Sequence, residues 1–559
     1  EEQPLPPDAH LQDALIADDG TSEVQCMESP AAVKGYHFSL SPNPARCRAD
    51  VKRAQLSEPG VRNNRQISNQ KEGAASSHCC PDNSLRTLPP MKNRRPHILL
   101  LCSDQQRFDT LGANGNPVCQ TPSLDRLAAE GMNFSRAFTV SSLCSPARAS
   151  LLTGLYPHNH GMTDNCNARQ VQQRELPHRL DVFPRLLQTA GYRCSYVGKW
   201  HLGQEQTPLD WGFDEYVPGP GWHEWWPEGV RLEQESAVRL PYAPEKPLAA
   251  RVPLPLTDYP DYQRASAAIS VMEEHTERTE PFFLRLDFFG PHYPHYLPEP
   301  YASQYAPSAI QPWANFNDPL EQVHEGTQWL KQRWGVSEWP SAAEIVTAYY
   351  GHVTCVDDQI GRVLDALERL GLAEDTLVIF TSDHGDLTGA HGILQKGAVG
   401  YDELYRIPLI ARWPGTIEAG AQRGELVELS DLMPTLLELA GAETVPGVDG
   451  RSLGPLLLGG QAEDWREEIF AEYLGRQNGD ITLKILRTQT HKLVLTASGP
   501  DELFDLVADP GELENRIDDP LSRAVLSDLA ERLAARMADS RDPLRDTFAP
   551  RLAHYQNGP

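Results

Sequence analysis

No run of about eighteen apolar residues occurs in this chain, so the sequence contains no candidate for a membrane-spanning helix. Cations are also in short supply: 50 Lys and Arg stand against 77 Asp and Glu, a formal charge of −27. That imbalance argues against nucleic acid or an anionic membrane surface as a general partner. An anionic substrate would need a local cluster of cations, or a metal, to overcome it. Paired-cysteine spacing is missing as well. Of ten cysteines, Cys26, Cys47, Cys79 and Cys80 lie before residue 90. The others (Cys102, Cys119, Cys144, Cys166, Cys194 and Cys355) are scattered, without the spacing of a zinc site or a small disulfide scaffold. No internal repeat is present, and the start Glu1-Glu2 has neither a methionine nor a basic stretch before an apolar core. No signal peptide is therefore expected at this terminus, and the cytoplasm is the expected compartment.

Residues 1–90 lack sustained periodicity and are rich in Ser, Asn, Gln and Pro. They read as a disordered or non-native extension, with Met91 as a natural start. From His97 onward, short β-like runs alternate with helical patterns: strands at 97–103, 192–197, 281–289, 376–382 and 408–413, and helices at 121–131, 342–370 and 429–440, with Pro434 a candidate kink. This predicts an α/β fold, a large mixed sheet sandwiched by helices. Past residue 456 the pattern changes to short strands and a helix over 521–538, which predicts a smaller C-terminal α+β subdomain. The expected units are 91–455 for the main domain, 456–545 for the subdomain and 546–559 for a tail. Two Pro- and Trp-rich stretches, 216–262 and 297–340, read as loops over the sheet edge. Trp222, Trp225 and Trp226 are candidates there for packing or for stacking on a substrate.

The chemistry-bearing residues follow the strands. Cys144-Ser145-Pro146-Ala147-Arg148 puts a thiol at a helix start, where Pro146 suits the first helical position and anionic groups are favoured. By itself the pentapeptide is better read as a buried cysteine beside a helix start than as a reactive thiol of protease or redox type. Asp104-Gln105 ends the first strand, and Asp383-His384-Gly385-Asp386 ends a later one. Two carboxylates, an amide oxygen and an imidazole at one edge suit Ca²⁺, Mg²⁺ or Mn²⁺. Gly198-Lys199-Trp200-His201 follows another strand, whose alternation would point Lys199 and His201 to one side. Gly290-Pro291-His292 and Gly389-Ala390-His391-Gly392, leading to Lys396, add cations and imidazoles.

On these residues the chain resembles the type I, formylglycine-dependent sulfatases of the alkaline phosphatase superfamily. The likeness rests on Cys144–Arg148 running into Ala149–Gly154, on Gly191-Tyr192 running on to Gly198–Gly203, and on Asp383-His384-Gly385 and Pro291-His292. Glu502-Leu503-Phe504-Asp505-Leu506 with Asp509-Pro510-Gly511-Glu512 follows in order, so the resemblance covers residues 95–515. It implies that a separate formylglycine-generating enzyme oxidises Cys144 to Cα-formylglycine, whose hydrate attacks sulfur. It also implies one divalent metal, calcium first with manganese or magnesium as alternatives, held by Asp104, Gln105, Asp383, His384 and modified Cys144. Arg148 and Lys199 would hold the diol, His201 would remove its second proton, and His292 and Lys396 would bind sulfate oxygens and protonate the leaving alcohol. Lys199, His292 and Lys396 are thus the substrate-binding set. The implied substrate is a small-molecule or saccharide sulfate ester. Gln105 and His384 stand where many members carry Asp and Asn, which keeps phosphonate monoester or phosphodiester hydrolysis open. An unmodified Cys144 would leave a non-catalytic anion-binding relative.

Overall fold

A computed structural model describes residues 95–559, apart from 169, 219–231, 234–235, 240–246, 461–463, 477–479 and 558–559. The extension 1–90 and Trp222, Trp225 and Trp226 lie outside the described residues. The first strand, β1 (His97–Ser103), is buried along its whole length. With a period of two, Ile98 and Leu100 enter one core while Leu99 and Leu101 enter the other. The sheet built around it contains β2 (Met132–Phe134), β3 (Arg193–Gly198), β4 (Glu215–Pro218), β5 (Phe282–Asp287), β6 (Thr376–Ser382), β7 (Leu409–Arg412) and β8 (Ala421–Arg423), in the order β8-β2-β7-β6-β1-β5-β3-β4. The block β6-β1-β5-β3-β4 is parallel, and β7 runs antiparallel to both its neighbours. The sheet is mixed, with apolar strands covered on both faces, as a parallel block requires.

Helices α1 (Pro122–Glu130), α4 (Pro260–His275) and α5 (Trp339–Arg369) cover the Leu99/Leu101 face. In α5 the contact stripe is Val356, Ile360, Val363 and Leu367, the spacing of one helical face. Helices α2 (Cys144–Thr153), α3 (Phe183–Thr189) and α6 (Leu432–Ala440) cover the opposite face through Leu151, Leu152, Phe183, Leu187 and Leu436. Pro434 does not kink α6: it falls in the first turn, where the proline lacks only an N–H that has no intrahelical partner. For the same reason α2 tolerates Pro146, although the helix begins two residues earlier than the proline suggested.

The C-terminal part is an antiparallel sheet, β9 (Glu468–Tyr473), β10 (Leu483–Thr488), β11 (His491–Thr496) and β12 (Glu502–Asp505), with helix α7 (Arg523–Asp539). Leu486, Leu493 and Leu495 face α7, whereas Ile485, Val494 and Phe504 face the main body at Tyr401 and Leu404. Among the departures from the reading of the sequence are two helices. Residues 297–340 contain a helix, Glu325–Trp334, because Leu330, Trp329 and Trp334 pack as an apolar stripe on the body. The residues read as a tail carry helix α8 (Arg545–Asn557), whose Phe548 and Leu552 are buried in the same cluster as Leu529 and Leu533 of α7. No helix of the described residues is long and apolar enough to cross a membrane.

Candidate active site

Strands β1, β3, β5 and β6 are parallel and in register. Ser103 lies beside Ser382, and Cys102 and Gly198 each lie beside Asp287. Whatever follows these positions is therefore delivered to one edge, where open α/β sheets bind ligands. Asp104, Lys199, Asp383 and His384 arrive in this way, and α2 brings Cys144 and Arg148 to them. Strand alternation is not what aligns Lys199 with His201: β3 ends at Gly198, whose φ of 105° breaks the pleat, and His201 sits at φ 55°. This left-handed turn swings both side chains to the thiol while Trp200 stays buried beside Tyr196.

Arg148 organises the carboxylates. It is fully buried, with Nε 2.8 Å from Asp383 Oδ2, Nη2 2.9 Å from Asp104 Oδ2 and Nη1 2.6 Å from Asp287 Oδ2. Nη1 also donates to the Lys199 carbonyl at 2.9 Å. Lys199 Nζ lies 2.5 Å from Asp104 Oδ2. Burial and the Cys144 thiolate push the Asp104 carboxyl up, but Lys199, His292 and Arg148 outweigh them and hold it well below the usual carboxylate range. Asp383 goes the other way, raised by burial and by Asp104. The two acids are pushed apart by their surroundings: both pair with Arg148, but Asp104 alone also pairs with Lys199.

The Cys144 thiol is buried at the first turn of α2. Its Sγ lies 2.9 Å from Lys396 Nζ, 3.2 Å from His384 Nε2, and 3.8 Å from both Lys199 Nζ and Asp104 Oδ1. Burial alone would raise its pKa; Lys199, Lys396 and His384 together take it well below the ordinary thiol value. His201 and His292 also interact with this thiol. Burial and then Lys199 lower His201 to about 4, and burial and then Lys396 lower His292 to about 3, so both rings are neutral near pH 7. His201 Nε2 donates to Asn167 Oδ1 at 3.2 Å, which leaves Nδ1 as the acceptor of the neutral ring. Lys396 keeps its proton: burial opposes the charge, but Cys144, Asp104 and Asp383 raise its pKa.

The donor set fits a divalent cation. One ligand atom from each of Asp104, Cys144, Asp383 and His384 lies within 4.8 Å of the others, all from buried residues. His384 Nδ1 donates to the Gly385 carbonyl at 2.8 Å; burial and Lys396 oppose a charge on the ring, but Asp383 and Cys144 raise its pKa overall, and in the neutral form the Nε2 lone pair points inward, the arrangement that orients metal-binding histidines. Gln105 Oε1 accepts from Lys396 Nζ at 2.7 Å, while its amide nitrogen bonds Asp386 and, at 3.1 Å, Gln395 Oε1. Carboxylate and amide oxygens with one imidazole suit Ca²⁺, Mg²⁺ or Mn²⁺.

All ten residues singled out in the sequence converge here. His391 does not join them: it stacks on Tyr401 at 3.6 Å and its Nδ1 is 2.6 Å from Asp318. Asp287, Gln395 and Tyr349 were not foreseen, and Asp386, which closes the Asp383–Asp386 motif, is given no role by the sequence. Asp287 ends a buried strand as Asp104 and Asp383 follow theirs, so the same pattern could have found it. Tyr349, whose hydroxyl donates to the Gln105 carbonyl at 2.8 Å, comes from the middle of α5 and carries no local signal.

An edge of this composition suits one class of chemistry, hydrolysis of esters of strong oxyanion acids. The family described as Sulfatase matches residues 96–442, and that described as N-sulphoglucosamine sulphohydrolase, C-terminal, matches 389–539. The chain belongs to the sulfatase family and is a sulfuric ester hydrolase. Among relatives, the multifunctional alkaline phosphatase superfamily protein PehA of Trinickia caryophylli is 30% identical over 83% of this chain and 98% of its own length. The N-acetylglucosamine-6-O-sulfatase of Bacteroides thetaiotaomicron is 28% identical, over 76% of this chain and 83% of that one. The phosphonate monoester hydrolase structure from Agrobacterium radiobacter superposes with a TM-score of 0.67 at 28% identity, covering 80% and 96% of the two chains.

Proposed function

We propose that the protein hydrolyses sulfate monoesters to an alcohol and inorganic sulfate, with Cys144 matured to Cα-formylglycine by a formylglycine-generating enzyme. The observation that carries this is the convergence on one buried thiol of Lys199, Lys396, His201, His292 and His384 at the start of α2. A divalent cation, calcium in first place with manganese or magnesium as alternatives, would be held by Asp104, Gln105, Asp383, His384 and matured Cys144. It would supply Lewis acidity, and the formylglycine hydrate would supply a diol as nucleophile toward sulfur. Arg148 keeps Asp104 and Asp383 in place. Lys199, His292 and Lys396 would bind the sulfate oxygens, where three groups stabilise developing negative charge. His201, neutral and half-buried, would accept a proton from the hydrate, and Lys396, which keeps its proton, and His292 would protonate the leaving oxygen.

In this reading residues 91–455 form the catalytic part and 456–545 the subdomain. A sulfated saccharide is the substrate class suggested by the glucosamine sulfatase relative. Gln105 and His384, together with the likeness to a phosphonate monoester hydrolase, favour phosphonate or phosphodiester hydrolysis as the second reading. If Cys144 remains a thiol in the native host, the protein is a non-catalytic anion binder.

The test compares aryl sulfate with phenyl phosphonate turnover on protein whose Cys144 peptide shows the formylglycine mass. Faster sulfate turnover is expected, and Cys144→Ala should lower it by about 10³-fold or more with the fold intact. Near-normal activity in Cys144→Ala would end this mechanism, and faster phosphonate turnover would move the assignment to the second reading.

A further inference from the structure

The Asp509-Pro510-Gly511-Glu512 turn stands outside the chemistry above, yet it touches the segments that deliver His384 and Lys396. Glu512 is buried, with φ 56°, and its Oε2 accepts the Asp402 backbone N–H at 2.7 Å. Buried Lys492 contacts the other Glu512 oxygen and lies 2.9 Å from Asp402 Oδ1, while Arg487 Nη2 donates to Asp402 Oδ2 at 2.9 Å. Asp402 opens the short helix Asp402–Tyr405, and this helix is pressed against the ligand loop. The Gly385 N–H donates to the Leu404 carbonyl at 2.8 Å, and a Cβ on Gly385 would stand 1.9 Å from the Glu403 carbonyl oxygen. Gly385 in turn holds the His384 ring through its own carbonyl.

A second arm leaves the same turn. Asn315 Nδ2 lies 3.2 Å from the Gly511 carbonyl, 2.8 Å from Glu403 Oε1 and 3.0 Å from His391 Nε2. His391 begins the stretch that ends in Gln395 and Lys396, and the Gln395 carbonyl accepts the Leu387 N–H at 2.9 Å. We propose that Glu512 is a positioning residue for the active site: through Asp402 it sets the placement of residues 383–396, with the Asn315 bond to the adjacent Gly511 carbonyl as a second tie, so that the C-terminal sheet completes the geometry at His384 and Lys396. An apolar packing role would not need a buried carboxylate, a buried lysine and an arginine to meet at the backbone of one helix start, since desolvating that many charges is costly unless their geometry is held.

Only the kinetic arm of the test rests on the sulfatase reading. Amide hydrogen exchange, read by mass spectrometry on full-length protein without metal or substrate, is compared for wild type, Glu512→Ala and Glu512→Gln. Glu512→Ala should speed exchange in 383–405 about tenfold or more while β1 is unchanged. It should also lower kcat for an aryl sulfate about tenfold or more with KM within about twofold. Glu512→Gln, which keeps an oxygen for the Asp402 N–H, should recover most of both. Unchanged exchange in 383–405, acceleration confined to 502–515, or a loss of thermal stability with unaltered kcat would each overturn the proposal. If Glu512→Ala does not fold, Glu512→Gln must still show faster exchange in 383–405 than wild type, and equality sinks the idea. A wild type without sulfate turnover would refute the sulfatase reading and leave the exchange result to decide this one.

Discussion

Arg148 has no exposed surface and pairs with Asp104, Asp287 and Asp383 at once. Replacing it with methionine keeps the volume but leaves three buried carboxylates with one cation fewer. Arg148→Met is therefore expected to destabilise the fold by about 3–5 kcal/mol, the range for breaking a buried ion pair from one side. Urea unfolding monitored by circular dichroism measures this, and a variant as stable as wild type would show that Lys199 suffices. The sequence marks Asp104, Lys199, Asp383 and His384 because each follows an apolar strand. It does not say which carboxylate faces the thiol and which, like Asp287, serves only as a counter-charge taken up by Arg148, Arg285 and Tyr196. That distinction depends on partners 91 to 139 positions apart.

At the scale of elements, the end of β3 decides how Lys199 and His201 reach the site. Gly198 has φ 105°, and a Cβ there would lie 1.9 Å from the Asp287 carbonyl oxygen. Gly198→Ala is expected to cost about 2–4 kcal/mol, from the disfavoured backbone region and the displaced β5 end together. Thermal melts check the stability, and turnover should fall with it; a melting temperature equal to wild type would contradict the account. Strands β1 and β6 are legible residue for residue, because a fully buried parallel strand is a short apolar run with polar ends. Strand β9 is not legible, because Glu472 interrupts its apolar pattern and is matched by Lys484 opposite it on β10 and by the distant His158. The helix Glu325–Trp334 hides for a related reason: its tryptophans read as loop until a surface is there to receive them.

For the whole molecule, the body and the C-terminal sheet are joined by a second buried charge cluster. His158 Nδ1 lies 2.9 Å from Glu472 Oε1, and Lys484 Nζ lies 2.5 Å from both Glu472 and Asp542. The three metal-ligand types there already enclose a cation, the Lys484 ammonium. Burial pushes the Glu472 carboxyl up, but Lys484 and His158 bring it down to about 2. A carboxyl whose pKa is lower in the folded state contributes stability above its unfolded value, near 4.5, and loses that contribution as the pH falls toward 2. Wild type should thus exceed Glu472→Gln by about 2–3 kcal/mol at pH 6–7, with the gap closing between pH 4.5 and 2. Denaturant midpoints across that range measure the gap, and a pH-independent difference would exclude this linkage. By itself the sequence determined the alternation of strands and helices, the polar residues at the strand ends and a helix start within Cys144–Pro146, since these follow from local periodicity and backbone preference. Tertiary structure alone decided which charges pair, how the turn at Gly198 aims Lys199 and His201, and that a glutamate more than a hundred residues away braces the His384 loop. These depend on desolvation and on contacts between distant segments, for which local pattern carries no signal.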